Sequence, residues 1–177
     1  MSATINRRSN ARNAAGNAGR NIDIRDRALH LVDLENLARG PGQEGVVYRE
    51  AWDDYTFSAG INEQDHIEIA TCGLVMKDVA FIVPQRYQIR CGNGEDAADN
   101  ILLELFTPEF IGHAYEWLVI GSGDHAFVPL ALEVQSLGVN IRVVSASGTR
   151  SAEFSGHGFG IRELVSRSDG SSLGLIA

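Results

Sequence analysis

The pattern of apolar and polar residues divides the chain, from Ala28 onward, into alternating strands and helices. Short apolar or alternating runs predict five strands, at residues 28–34, 66–72, 87–91, 117–123 and 140–147. Longer segments with apolar residues at helical spacing predict helices at residues 46–60, 74–83, 94–106 and 126–138. Strands and helices that alternate with short connections indicate a mainly parallel sheet of about five strands with helices on both faces. We therefore expect a three-layer α/β/α fold.

The apolar side chains of two helices mark the faces that should pack on the sheet. In the first helix these are Val47, Trp52 and Tyr55. In the third helix one stripe contains Ile101, Leu102, Leu105 and Phe106, and we expect that helix to end before Pro108.

Asp33 interrupts the first strand, in the stretch "LHLVDLENL". A buried carboxylate is costly unless another group pairs with it or coordinates it. Asp124 follows the fourth strand, and Asp96 and Asp99 fall in the predicted first turn of the third helix, three residues apart and therefore on one face. Because sites in open parallel sheets form beyond the carboxyl ends of the strands, we expect these four acids to converge.

Converging carboxylates without a matching set of Cys and His residues favour Mg²⁺ or Mn²⁺ as the bound ion. Local structure offers an alternative for three of the four acids. Asp96 and Asp99 could complement the dipole of a helix N-terminus, and Asp124 could cap the helix that begins near His125.

Other kinds of site lack part of their pattern. The "GSGD" stretch lacks the third glycine of a dinucleotide fingerprint, and no Walker lysine accompanies it. No serine sits in a nucleophile elbow, and the five histidines show no metal-binding spacing.

Composition is that of an ordinary globular protein, with 44% hydrophobic and 21% charged residues in a chain of 177. We expect one domain over residues 28–165, followed by a flexible tail at 166–177. No apolar run reaches the roughly 18 residues that span a bilayer, and the N-terminus lacks a signal-peptide pattern, so we expect no membrane partner. Cys72 and Cys91 are too few and too far apart for a disulfide scaffold. We expect buried free thiols and a cytoplasmic location.

Residues 1–27 form a separate basic segment. Six arginines against two aspartates give it a net charge of +4, so the remaining residues must carry −12 of the total of −8. The segment lacks hydrophobic periodicity, which predicts a disordered arm. The segment could bind phosphate backbones that the acidic domain by itself would repel. Alternatively, it could be an inert tail or a transit peptide.

Three stretches in this order, "LHLVDLENL", "GEDAADNILLEL" and "WLVIGSGDHAFVPLALEVQSLGVNIRVVS", resemble the NYN family of PIN-like nucleases. The resemblance extends from about residue 28 to residue 147. It implies a PIN-like fold, binding of Mg²⁺ or Mn²⁺, and hydrolysis of RNA by an endoribonuclease. The family's metal-site and catalytic acids would correspond to Asp33, Asp96, Asp99 and Asp124. The chain departs from the family at Ala126 and Leu102, where many relatives have further acids.

The resemblance and the chemistry together assign provisional roles to polar neighbours of the acids. Asn36 and Ser122 could hydrogen-bond a carboxylate or the phosphate. Arg39, Arg90 and Arg150 are candidates to bind the RNA backbone, or ordinary surface residues. Two other functions remain open: a metal-dependent phosphatase or DNA nuclease, and a non-catalytic RNA-binding or interaction module. The sequence leaves the oligomeric state open, and a homodimer is compatible with it.

Overall fold

A computed structural model describes residues 27–94 and 96–166 of the chain. Its strands are β1 (Ala28–Asp33), β2 (His66–Cys72), β3 (Gln88–Gly92), β4 (Trp117–Gly121), β5 (Asn140–Ser145) and β6 (Gly160–Glu163). Its α-helices are α1 (Leu34–Leu37), α2 (Gly45–Ala59), α3 (Met76–Ile82), α4 (Ala97–Glu104), α5 (Pro108–Ala114) and α6 (Val128–Ser136). Most of the predicted arm 1–27 and tail 166–177 lies outside the described residues.

The six strands form one all-parallel sheet in the order β3-β2-β1-β4-β5-β6. This confirms the predicted three-layer α/β/α class, with one strand more than expected. The additional strand, β6, is exposed at all four positions, so it has no apolar run that sequence periodicity could detect. It is held by backbone pairing to β5 instead.

Two apolar cores cover the two faces of the sheet. Successive residues of β1, such as Leu31 and Val32, point into different cores. Helices α4, α5 and α6 cover the Leu31 face, and α1, α2 and α3 cover the Val32 face. Asp33 lies two residues after Leu31, so its side chain points to the same face of the sheet, the face that α4 covers.

The packing of α2 and α4 agrees largely with the predicted faces. In α2, Trp52 and Tyr55 are buried, and Val47 is partly buried against the same core. In α4, Leu102 is buried and Ile101 is partly buried. The helix itself ends at Glu104, so the other two residues of the stripe, Leu105 and Phe106, pack on the core from the connection that follows.

Two helices, α5 and α1, were not predicted from the sequence. Thr107 accepts a hydrogen bond from the backbone N–H of Phe110 and caps α5, with Pro108 in the first turn. Pro108 therefore starts a new helix as well as separating it from α4. Helix α1 is only four residues long, too short for a periodic signal.

The strand order reverses between β1 and β4. The connection after β1 leads towards β2 on one side, and the connection after β4 leads towards β5 on the other. In open parallel sheets the crevice between two such connections is where ligands bind. Among the described residues, none of the helices is long and apolar enough to cross a membrane.

Candidate functional site

A cleft of about 690 Å³ opens at the carboxyl edge of the sheet, where β1 and β4 diverge. The connections that follow β1, β2, β3 and β4 all contribute to its lining. All four predicted acids, Asp33, Asp96, Asp99 and Asp124, lie along it. The topology thus brings together residues that are 91 positions apart in the sequence.

Asp33 is the innermost of the acids, with 6% of its surface exposed. Its Oδ1 accepts hydrogen bonds from the backbone N–H groups of Glu35, at 3.0 Å, and Asn36, at 3.1 Å. These two bonds cap α1, whose first N–H groups have no partner within the helix. The carboxylate at the end of β1 therefore has a structural role, which is to cap α1.

Asp99 lies against Asp33 from the first turn of α4 and is only 7% exposed. Its Oδ1 is buried and has no hydrogen-bond partner among the described residues. Burial and the charge of Asp99 raise the pKa of Asp33 to about 8. Burial and the charge of Asp124 raise the pKa of Asp99 to about 6. At neutral pH the proton of the pair is therefore held mainly by Asp33, which has the higher pKa.

Asp124 and Asp96 occupy more open positions. The Oδ1 of Asp124 accepts a hydrogen bond from the N–H of Ala126 at 2.8 Å and lies 3.1 Å from Nδ1 of His125. The expected alternative, that Asp124 caps the following helix, is confirmed for the short 3₁₀ helix His125–Phe127.

The placement of Asp96 corrects one prediction. Asp96 is the exposed N-cap residue of α4, with a left-handed φ of 58°, and does not lie in the first turn. It therefore does not share a helix face with the buried Asp99, although both line the cleft.

The acids suit a divalent cation in their chemistry, because carboxylate oxygens are the ligands that Mg²⁺ and Mn²⁺ prefer. The unpartnered Oδ1 of Asp99 also fits such an ion. However, no three His, Cys, Asp or Glu side chains within residues 27–94 and 96–166 are grouped so that they could hold a metal ion. Asp33, Asp96 and Asp124 therefore do not form the single coordination sphere that we expected. Two of these three carboxylates are instead turned to N–H groups of their own turns.

Asn36 connects the two halves of the cleft. Its Oδ1 accepts a hydrogen bond from the N–H of Gly123 at 2.8 Å, which ties α1 to the connection after β4. The carbonyl of Gly123 accepts from the N–H of Ser151, also at 2.8 Å. A Cβ atom at Gly123 would lie 2.6 Å from the carbonyl oxygen of Thr149, so only glycine fits here. Asn36 thus fixes the connection that carries Asp124.

Glu35 lines the cleft and was missed as a site residue by the sequence analysis. Its Oε1 accepts hydrogen bonds from the hydroxyl of Thr71, at 2.8 Å, and from the N–H of Cys72. Its backbone carbonyl accepts from the N–H of Gly40 at 2.8 Å. The sequence signal that could have identified Glu35 was its place two residues after Asp33 in "DLEN". An acid early in a helix is, however, usually explained by the helix dipole.

The predicted substrate-binding residues do not all reach the cleft. Arg39 lines it and is exposed. Arg90 instead pairs with the buried Glu68 at 2.8 Å, and Arg150 donates from Nη1 to Ser155. Ser122 is fully buried, and its hydroxyl accepts a hydrogen bond from the N–H of Asp124. Ser122 therefore shapes the connection and is closed to a phosphate.

The two cysteines are free, but their burial was predicted incorrectly. Cys72 is half-buried and lines the cleft, and Cys91 is exposed. Both stand at the ends of strands, where the side chains reach the rim of the sheet.

The fold and the site define an all-parallel α/β protein with an acidic cleft at the reversal of its strand order. Comparison with known proteins finds no matching family model, no matching curated protein and no matching solved structure. The relation to the NYN family stays a prediction.

We expect the substitution Asp33→Asn to remove a pH dependence of stability. The folded pKa of Asp33 is raised above the unfolded value of 3.8, so the folded state holds a proton that the unfolded state releases, and stability falls between about pH 4 and pH 8. The asparagine side chain keeps the acceptor that caps α1 and stays neutral. At pH 8 the variant should be more stable than the wild type by at least about 1.4 kcal/mol, the equivalent of one pKa unit.

Urea unfolding between pH 5 and pH 8 measures this difference. The matched control is Asp78→Asn, because Asp78 is exposed on α3 and does not line the cleft. Parallel stability profiles for the wild type and Asp33→Asn would contradict the shared proton.

Removing the side chain of Asn36 should leave the buried N–H of Gly123 without its acceptor. We expect Asn36→Ala to lower the free energy of unfolding by about 1 to 3 kcal/mol. Asn140→Ala, which loses an exposed 3.3 Å bond to the carbonyl of Glu116, should change it by less than about 0.5 kcal/mol. Thermal or urea denaturation measures both. Equal losses would show that the bond between Asn36 and Gly123 does not hold the two connections together.

Proposed function

We propose that this protein is a Mg²⁺- or Mn²⁺-dependent endoribonuclease that hydrolyses RNA phosphodiester bonds in the acidic cleft. The observation that carries the proposal is that Asp33, Asp99 and Asp124, from three different elements of the chain, line one cleft at the reversal of the strand order. The three motifs that resemble the NYN family support RNA as the substrate and hydrolysis as the reaction.

Asp33, Asp99 and Asp124 would hold the cation, with Asp96 at the exposed rim of the cleft. When bound, Mg²⁺ or Mn²⁺ supplies an acidic water molecule and positive charge for the phosphate. Asp33 would give up the proton that it shares with Asp99, because a ligand carboxylate has to be ionised. The carboxylates of Asp33 and Asp124 would also have to turn part of their acceptor capacity from the backbone towards the ion.

Asp99 has the clearest part in the chemistry that follows. Its unpartnered Oδ1 can accept a hydrogen bond from the attacking water and orient it. No covalent bond to the protein is required, because water is the nucleophile: its oxygen would bond to phosphorus, the P–O bond to one ribose oxygen would break, and that oxygen would take up the proton that the water loses. Asn36 and Gly123 would keep the connection of Asp124 in place.

The charges around the cleft define how RNA could approach. Among the residues that the structure describes, five acids line the cleft, the four predicted ones and Glu35, and Arg39 is the one basic residue that does so. Such a surface repels phosphates unless a cation neutralises it. We propose that Arg39 contacts a phosphate beside the reacting one, and that the arginines of residues 1–27 supply non-specific attraction to the backbone. Two free cysteines favour the reducing cytoplasm as the place of this activity.

Cleavage assays test the reaction directly. Labelled single-stranded RNA should be cut in Mg²⁺ or Mn²⁺ and left intact in EDTA. Asp124→Asn and Asp99→Asn should each lower the rate by at least about a hundredfold, a typical loss when one group that stabilises the reacting charge is removed. The matched control, Asp78→Asn, should stay within about twofold of the wild type.

Each alternative function gives a different outcome in this assay. Equal cutting of single-stranded DNA would indicate a less selective nuclease, and release of phosphate from monoesters alone would indicate a phosphatase. RNA binding without cleavage in any cation would support the non-catalytic module. Equal activity of Asp124→Asn and Asp78→Asn would remove the cleft from the reaction.

Binding of the cation can be measured apart from activity. Saturating Mn²⁺ should raise the melting temperature of the wild type by about 5 °C or more, because a ligand at a hundred times its Kd stabilises the native state by about 2.7 kcal/mol. Asp33→Asn should lose this response, and Asp78→Asn should keep it. Equal shifts in all three proteins would exclude Asp33 as a ligand.

A further inference from the structure

Asn93 and Gly94 form the one Asn-Gly pair in the sequence, and both residues line the acidic cleft. The pair directly follows β3, in the connection that leads to α4, and both residues are exposed. Among the residues that the structure describes, neither the carboxamide of Asn93 nor the backbone N–H of Gly94 has a hydrogen-bond partner. No hydrogen bond therefore keeps these two neighbouring groups from reacting with each other.

Gly94 has a backbone conformation that favours glycine. Its φ is 111°, a value at which another residue would be strained, although a Cβ atom there would meet nothing within 4 Å. The backbone angle, and not a lack of space, therefore requires glycine at this position. Because Gly94 has no side chain and open space beside it, its backbone nitrogen is approachable.

The side chain of Asn93 lies against Gly73 on the wall of the cleft. A Cβ atom at Gly73 would lie 2.7 Å from Oδ1 of Asn93, so the missing side chain of Gly73 makes room for the carboxamide. The N–H of Gly73 donates to the carbonyl of Gly92 at 3.0 Å, which ties the connection after β2 to the end of β3. A charge on the side chain of Asn93 would therefore lie on this wall.

We propose that Asn93 is a site of spontaneous deamidation, in which the backbone nitrogen of Gly94 attacks the Asn93 side chain and the product adds a carboxylate to the five acids of the cleft. This chemical step is independent of the proposed function. Its effect on the bound cation rests on that function.

The reaction needs only the two residues and water. The nitrogen of Gly94 loses its proton and bonds to Cγ of Asn93, the bond from Cγ to Nδ2 breaks, and Nδ2 leaves as ammonia with that proton. Water then opens the resulting cyclic imide at either of its two carbonyl groups. One product is aspartate. The other is isoaspartate, in which the main chain passes through the side chain of residue 93.

Both products change the charge of the cleft. A neutral carboxamide becomes a carboxylate, which is ionised at neutral pH on an exposed surface. The added charge strengthens the attraction of the cleft for a cation and its repulsion of a phosphate. Isoaspartate also adds one atom to the main chain ahead of α4, the helix that carries Asp99.

The test follows the mass of the peptide that contains Asn93 while the full chain is kept at pH 6 and at pH 8. Deamidation replaces NH2 by OH in this peptide, and chromatography separates aspartate from isoaspartate. Asn62 and Asn140 are internal controls, because both are exposed but are followed by Glu63 and Ile141, which carry side chains. A free peptide of the sequence RCGNGED gives the rate without the fold.

We expect Asn93 to deamidate in the folded protein at a rate within about tenfold of the free peptide, because the fold neither buries nor hydrogen-bonds the pair. The rate should be several-fold higher at pH 8 than at pH 6, since the nitrogen of Gly94 has to lose a proton. Asn62 and Asn140 should stay unmodified. The variant Asn93→Gln should also resist, because a glutamine side chain would have to close a larger ring.

The added charge is tested with two variants of residue 93. Asn93→Asp carries the charge of the product, and Asn93→Gln keeps a neutral amide. The melting temperature of each is measured against the concentration of Mn²⁺. The midpoint of the rise should lie at about twofold to fivefold lower Mn²⁺ in Asn93→Asp, because one more negative charge attracts the cation.

An unmodified Asn93 in the folded chain, while the free peptide deamidates, would overturn the proposal. Equal modification of Asn93 and Asn140 would overturn it as well, because the reaction would then owe nothing to Gly94. Equal Mn²⁺ midpoints in the two variants would show that the new carboxylate does not act on the cleft. Failure of the proposed function looks different: if Asn93 deamidates but no form of the protein responds to Mn²⁺ or cuts RNA, the modification stands and the nuclease proposal falls.

Discussion

Burial of one carboxylic acid at the end of β1 determines how the acidic cleft is built. Asp33 ends β1, and its Oδ1 accepts the two N–H groups that begin α1. The same side chain lies on the α4 side of the sheet, where it meets Asp99. Two buried carboxyl groups so close together cannot both be charged without a large cost, so the pair keeps a proton near neutral pH.

The residues after Asp33 in the sequence hold the walls of the cleft. Glu35 bonds to the last residue of β2 and to the connection after α1, and Asn36 bonds to the connection after β4. The end of one strand and two connections therefore depend on a single turn of helix. A helix of only four residues can hold the walls of the cleft in this way because its polar side chains bond to other elements of the protein. By capping α1, Asp33 also fixes the positions of Glu35 and Asn36.

Arg27 and the acidic cleft lie at opposite ends of β1. Arg27, which stacks on the ring of Tyr115 with its guanidinium carbon 4.8 Å from the ring centre, precedes β1. The cleft lies beyond the end of β1, six residues later, which is about 20 Å along a strand.

The sequence by itself determined the α/β class, five of the six strands and the four acids along the cleft, because apolar periodicity and strand ends are local signals. Only the tertiary structure decided what each acid contacts. It buried Asp99, exposed Asp96 and turned Asp33 and Asp124 to backbone N–H groups, since these outcomes depend on helix ends and on neighbours far along the chain. In the tertiary structure Arg90 pairs with Glu68, Ser122 is fully buried, and Glu35 and Leu74 line the cleft. A charged or apolar residue in a sequence shows its chemistry, but its partners are chosen by packing between elements that the sequence places far apart.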